Sequence, residues 1–449
     1  MKRTQTAALA LAVGLAAATS PSARADTASD IAQIRKEMKS LRGDYEKKIE
    51  DLEARLKKAE TRADDAEAKA STVASPVAVA DVAPPAPAPV VSAPSSANAF
   101  NPAISAILNG SYNVSSKDPG TLRVPGFALG DEAGLRDRGF SLGESEVSIS
   151  ANVDQAFLAN LIVSMGSDDS IGVEEAYIQT TDLPGGFTVK AGRFLSGIGY
   201  LNEKHAHAWD FSDAPLPYRA MLGNQYGDDG VQARWLAPTD FFLEFGAEWM
   251  RGDAFPAGNA DDNGSGTVSG FVHSGGDIDE SSSFLVGASY LRTKSDQRDT
   301  GETFSGKDDL FIASAVYKWA PNGNPIQTNL SVSGEYFLGN EQGTFEGVPV
   351  DYQRSGFYVQ GVYQFMPRWR FGVRYAELQS DDAPLALAGT SLDNAGHTPQ
   401  ALSALLEYRT SEFARFRAEY TLDDADTQSN DEFVFSYTVA IGAHGAHSF

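Results

Sequence analysis

From Phe100 onward the chain is a succession of strand-length stretches in which apolar and polar residues alternate, and the connections between them alternate as well. Sixteen stretches can be placed, at 104–114, 140–152, 156–165, 172–181, 186–194, 229–237, 240–251, 266–274, 282–293, 308–319, 326–338, 352–366, 368–380, 399–410, 412–422 and 432–449. Tight connections such as LPGG at 183–186, APTD at 237–240, MPR at 366–368 and TSE at 410–412 take turns with long ones at 195–228, 252–265, 294–307, 339–351 and 381–398. A soluble sandwich has no reason to sort its loops by parity. A transmembrane antiparallel β-barrel does, with short periplasmic turns, long external loops and an even strand count. The expected fold is therefore all-β, a barrel of about 16 strands.

Two distributions agree with that topology. Paired aspartates at 168–169, 228–229, 261–262, 308–309, 381–382 and 423–424 all fall on the long-loop side. Trp235, Trp249, Trp319, Trp369 and Tyr408 sit near strand ends, where interfacial aromatic girdles belong. Mean hydropathy is only -0.27, which does not conflict, because alternating strands dilute hydropathy. The chain has no cysteine, so disulfides and thiolate metal sites are excluded, and its net charge of -24 argues against nucleic acid as a partner.

The segment before the barrel reads in three parts. Residues 1–25 have a basic start at Lys2 and Arg3, an apolar stretch from Ala7 to Ala18 and the small-residue site Ala23-Arg24-Ala25, the pattern of an export signal. Over 26–70, Ile31, Ile34, Met38, Leu41, Tyr45, Ile49, Leu52 and Leu56 follow three-and-four spacing with one repeated four, a heptad seam with a stutter. That predicts a periplasmic coiled coil and self-association; a lone solvated helix is the alternative. Residues 71–99, with Pro84, Pro85, Pro87 and Pro89, form an extended linker, leaving 100–449 as the barrel.

The last stretch, FVFSYTVAIGAHGAHSF, presents Phe433, Phe435, Tyr437, Val439 and Ile441 on one face and small or polar residues on the other, and ends on Phe449. With the blocks GFSLGESEVSISANVDQ and KAGRFLSGIGYLNEKHAHAWDF and the long third loop, it resembles bacterial outer-membrane porins, most similar to the phosphate-selective porins and the trimeric general porins. The N-terminal coiled coil also resembles that of some sugar porins. The resemblance implies a homotrimer in the cell outer membrane, with Phe449 read by the barrel assembly machinery. Lipopolysaccharide and membrane lipid are the implied surroundings, and peptidoglycan is a further partner the coiled coil could reach.

Function is then expected in a water-filled lumen narrowed by charged side chains. The third external loop, 195–228, carries Ile198, Tyr200, Trp209, Phe211, Leu216 and Met221, apolar residues that suit a loop folded against a wall. Its constriction candidates are Glu203, Lys204, His205, His207, Asp210, Asp213 and Arg219. By alternation, Lys190, Arg234, Arg368, Arg370, Arg374, Arg409, Arg415 and Arg417 line the pore wall. Two readings stand: a basic wall opposite a carboxylate-bearing loop, or arginines neutralised by lumen carboxylates such as Glu244, Glu248, Glu407 and Glu419. His205 and His207 share a face if extended, with Glu203 and Asp210 near, and are candidate metal ligands. No cofactor is otherwise implied, although the external aspartate pairs could meet divalent cations.

The leading function is passive diffusion of small hydrophilic solutes or ions. Alternatives are a zinc- or other metal-related uptake protein and an outer membrane-to-cell wall tether. An energy-coupled receptor would need a plug domain and about 22 strands. No nucleophile–base pairing suggests an enzyme.

Overall fold

The computed structural model describes residues 102–167, 170–258 and 264–442. The export signal, coiled coil, linker, Phe449 and the aspartate pairs at 168–169 and 261–262 lie outside the described residues. Seventeen strand segments form a single sheet in which every neighbour is antiparallel. In chain order they are β1 (Ala103–Ser115), β2 (Gly139–Leu142), β3 (Ser145–Asn152), β4 (Phe157–Met165), β5 (Ile171–Thr180) and β6 (Phe187–Leu195). They continue with β7 (Gly227–Leu236), β8 (Phe242–Met250), β9 (Thr267–Asp279), β10 (Ser282–Asp299), β11 (Thr303–Trp319) and β12 (Asn329–Phe345). The last are β13 (Val348–Met366), β14 (Trp369–Ser380), β15 (Gln400–Ser411), β16 (Ala414–Asp424) and β17 (Asn430–Gly442).

β2 and β3 together form one stave of the wall. Both pair with β1, but the register steps by one residue between Gly110↔Leu142 and Ile107↔Glu146, so the strand is interrupted at 143–144. The seventeen segments therefore make a sixteen-stave barrel. It closes where β1 pairs with β17 from Ser105↔Gly442 to Ser115↔Glu432. Closure leaves no exposed sheet edge, the condition for crossing lipid with strands.

Alternation sorts the wall as expected. Phe371, Val373, Phe416, Tyr420, Phe433, Phe435 and Tyr437 face outward and exposed, while Arg370, Arg374, Arg417 and Glu419 between them are buried inside. Aromatic pairs stand near the short-turn rim: Phe187–Trp235 and Trp235–Phe245 stack at 6.1 and 5.7 Å, and Trp369–Tyr408 lie 4.9 Å apart.

Two expected loops are strand instead. Residues 294–307 and 339–351 extend the hairpins β10–β11 and β12–β13, which turn only at 300–302 and 346–347. Glu346 (φ 47°) and Gly347 (φ 76°) both take positive φ, the requirement of a two-residue hairpin turn whose twist suits its strands. These stretches look loop-like because they are charged, but the charges are paired indoors. Glu341 lies in ion-pair distance of Arg298 at 2.8 Å and of Arg354 at 3.0 Å, Arg354 also pairs with Asp308, and all four are buried.

The hydrophobic core lies inside the barrel. Leu291, Leu310, Ile312, Phe337, Tyr358 and Leu378 point inward from β10–β14 and pack against Ile198, Leu201, Trp209 and helix α1 (Leu216–Leu222) of the connection between β6 and β7. Val124 and Phe127, from the connection after β1, join them. The apolar residues of the β6–β7 connection therefore pack against the inner wall, and at its level the interior is partly a packed core rather than an open water-filled lumen.

Candidate functional site

The connection 196–226 meets charged residues of the barrel interior on several walls. Its backbone is fastened first at its start. Glu248 of β8 accepts from the Gly197 N–H at 2.8 Å and from the hydroxyls of Ser196 and Ser269. Glu335 of β12 then accepts from the Tyr200 N–H at 2.7 Å, the Tyr218 hydroxyl at 2.9 Å and the Tyr358 hydroxyl at 2.7 Å. Gly223, at φ 60°, ends α1 in the left-handed region that favours glycine.

From those anchors the connection reaches several walls. Asp210 pairs with Arg370 at 2.7 Å, and Asp213 pairs with Arg374. Arg374 also donates to the Asp213 carbonyl at 2.8 Å. Arg415 donates to the His207 carbonyl, and the Ser212 N–H donates to Glu419 at 2.8 Å. Arg219, buried on α1, lies 3.8 Å from Asp423. Glu203 turns the other way and pairs with Arg234, whose second nitrogen is 3.3 Å from Glu244. Lys204 lies over the Tyr200 ring at 3.7 Å, and Lys190 over the Tyr177 ring at 4.6 Å.

Burial would raise the Asp210 and Asp213 carboxyls, but Arg370 and Arg374 outweigh it and hold both below the ordinary range. Burial, helped by the charge of Lys318, pulls the Lys204 ammonium down to about 8. His205 is penalised as a cation by burial, yet the Glu174 and Glu175 carboxylates hold its pKa well above the ordinary value.

On the wall, Glu407 of β15 is fully enclosed by four arginines. Arg370 is 3.1 Å away, Arg409 2.6 Å, Arg415 3.4 Å and Arg417 3.8 Å. Both readings of the arginines are thus partly realised: Arg234, Arg370, Arg374, Arg409, Arg415 and Arg417 each have a carboxylate near, but around Glu407 one carboxylate serves several guanidinium groups. Below the connection, toward the short turns, a cavity of about 490 Å³ is lined by Tyr200, Lys204, Asp210, Lys318 and Arg370 among others.

Not every expected site residue is on the wall. Arg368 lies exposed in the turn 367–368 at φ 73°, because the hairpin turns one residue later than the alternation suggests. Glu203 and Asp210 do not join the histidines; arginines hold them elsewhere. The residues around His205 and His207 are Glu146, Glu174 and Glu175, which the sequence reading missed. Several aspartates expected outside have protein partners: Asp229 pairs with Arg193 at 2.8 Å and Asp309 with Arg292 at 2.6 Å, while Asp308 is buried inside the barrel against Arg354.

The β-barrel porin-2, OmpL-like family model matches residues 103–440, from the first strand to the last. The chain belongs to this porin family. An uncharacterized protein of Aquifex aeolicus (strain VF5) is 31% identical to this porin over 393 residues, 79% of this chain and 81% of that one. Among solved structures, the outer membrane channel DcaP of Acinetobacter baumannii aligns with a TM-score of 0.51 at 12% identity, over 76% of this chain and 97% of that chain. An anion-selective porin from Comamonas acidovorans aligns with a TM-score of 0.50 at 10% identity, over 76% and 99%. At such identities these two share the fold alone. The family places this porin in the outer membrane as a channel-type β-barrel.

Proposed function

We propose that this porin carries small hydrophilic solutes or ions passively across the outer membrane, with connection 196–226 as its constriction. The observation that supports this most is the span of the connection's bonds. It is tied to β7, β8 and β12 on one side and to β14 and β16 on another, so a solute must pass alongside it. Its carboxylates Asp210 and Asp213 meet a wall bearing Arg370, Arg374, Arg409, Arg415 and Arg417. The five arginines outnumber the wall carboxylates Glu407 and Glu419, so the passage favours small anions, while the adjoining cavity carries both signs, Lys204, Lys318 and Arg370 with Asp210, Asp277, Asp279 and Glu280. The working unit is a homotrimer with the 26–70 segment in the periplasm.

Single-channel recording in a planar bilayer under a salt gradient tests the reading. Conductance in triplet steps with a reversal potential on the anion side is expected. Absence of conductance would sink the channel reading, and a cation-side reversal potential would sink the anion preference.

A further inference from the structure

One cluster inside the barrel is not used by the channel reading. Glu146 of β3, Glu174 of β5 and His205 of the connection each bring one ligand atom within 4.8 Å of the others. The His205 Nδ1 lies 3.0 Å from Glu174 Oε1 and 3.7 Å from Glu146 Oε2. Ligands about 2.0–2.1 Å from a tetrahedral zinc stand ~3.3 Å from one another, so these two separations bracket that spacing.

Observations beyond proximity point to a ligand. Glu174 Oε2 is buried and has no hydrogen-bond partner, a costly state for a carboxylate oxygen. Glu174 is also the extra residue of a bulge, since Ile162 pairs with Glu175 while Val163 pairs with Val173. A regular strand would send one of two consecutive residues to lipid; the bulge turns both glutamates inward. Three carboxylates therefore converge on two imidazoles, an excess of negative charge that a dication would offset in large part.

We propose that Glu146, Glu174 and His205 form a divalent-cation site suited to Zn²⁺. Imidazole nitrogen with carboxylate oxygen is a zinc donor set that needs no thiolate. The outer groups are already placed. With His205 Nδ1 on the metal, its Nε2–H donates to Glu175 Oε2, 3.3 Å away. Glu146 keeps Oε2 for the metal while Oε1 lies 2.7 Å from His207 Nδ1. His207 is thus a positioning residue, and such outer partners orient the ligands. The bound ion would tie the connection to β3 and β5, completing the ring of wall contacts.

The test uses the full chain in detergent, stripped with EDTA and titrated with zinc sulfate by calorimetry, with metal content measured after dialysis. One zinc per chain is expected, with a rise in Tm on addition. Glu174→Gln and His205→Gln should each weaken binding at least about tenfold and abolish the Tm rise, whereas Asp381→Asn should bind as wild type does. Glu146→Gln replaces either variant that fails to fold. Wild-type protein that retains no zinc, or a folded Glu174→Gln chain that binds it equally well, overturns the site. Because binding is read without conductance, that failure would leave the channel reading untouched.

Discussion

At the residue scale, Glu407 matters most to the field in the barrel. It has no solvent exposure and faces Arg370, Arg409, Arg415 and Arg417. Glu407→Gln removes the charge but keeps the shape, leaving buried guanidinium groups without their shared counter-ion. Breaking a buried ion pair from one side costs on the order of 3–5 kcal/mol. The variant should therefore melt lower, and its reversal potential should move further toward anions; a potential unchanged from wild type would show that Glu407 does not shape the passage. The loop carboxylates give a pH dependence of defined sign. Arg370 and Arg374 depress Asp210 and Asp213 in the folded protein, so their stabilisation is fully present above the ordinary carboxylate pKa and lost as pH falls through the lower folded values. Conductance noise should stay flat from neutral pH to about 4 and rise only below the ordinary aspartate value of ~3.9. Noise that rises at pH 6 would assign the tether to other groups.

At the element scale, the connection 196–226 depends on Glu335 as a latch. Glu335→Gln leaves an oxygen for the Tyr200 N–H but replaces the acceptor of the Tyr218 and Tyr358 hydroxyls with an amide nitrogen. A buried group deprived of its partner costs roughly 1–3 kcal/mol. That should loosen the connection, seen as larger and flickering single-channel currents, while circular dichroism still reports the full strand content. Quiet wild-type currents would remove the latch. The β5–β6 hairpin has a different weak point. Gly192 sits at φ 130°, and a Cβ there would collide with the Ala176 carbonyl and come within 2.8 Å of the Tyr177 Cα. Gly192→Ala should lower the yield of folded barrel; a normal yield would mean that the hairpin yields locally. These elements also show what the sequence made legible. All sixteen staves were visible because lipid on one face enforces strict alternation, as in Trp369, Phe371, Val373 and Tyr375. The long hairpins were cut short because Arg298 and Glu341 look like loop residues until their partners, each other and Arg354, are known. The bulge at Glu174 leaves no periodic trace, so Glu146, Glu174 and Glu175 could not be assembled around His205 from spacing alone. Only the histidines themselves, two apart in a loop with apolar anchors, stood out.

At the scale of the whole molecule, the barrel closes without help from the first hundred residues. β1 begins at Ala103 and pairs along β17, so every described stave has two neighbours within 103–442. The inward contacts of 196–226 likewise come from wall strands of the same chain. The three-and-four spacing over 26–70, by contrast, is the sequence pattern of a helix that buries its apolar positions against copies of itself. The two parts should therefore separate in function. Deleting 26–99 while keeping residues 1–25 should leave the conductance of a single step and the reversal potential unchanged, because neither the bore nor its charges are touched. The grouping of steps should change from triplets toward single events, and native gels should show a smaller assembly. If single-step conductance falls instead, the N-terminal segment reaches into the passage; if triplets persist, the trimer is held by the lipid-facing barrel surfaces rather than by the coiled coil.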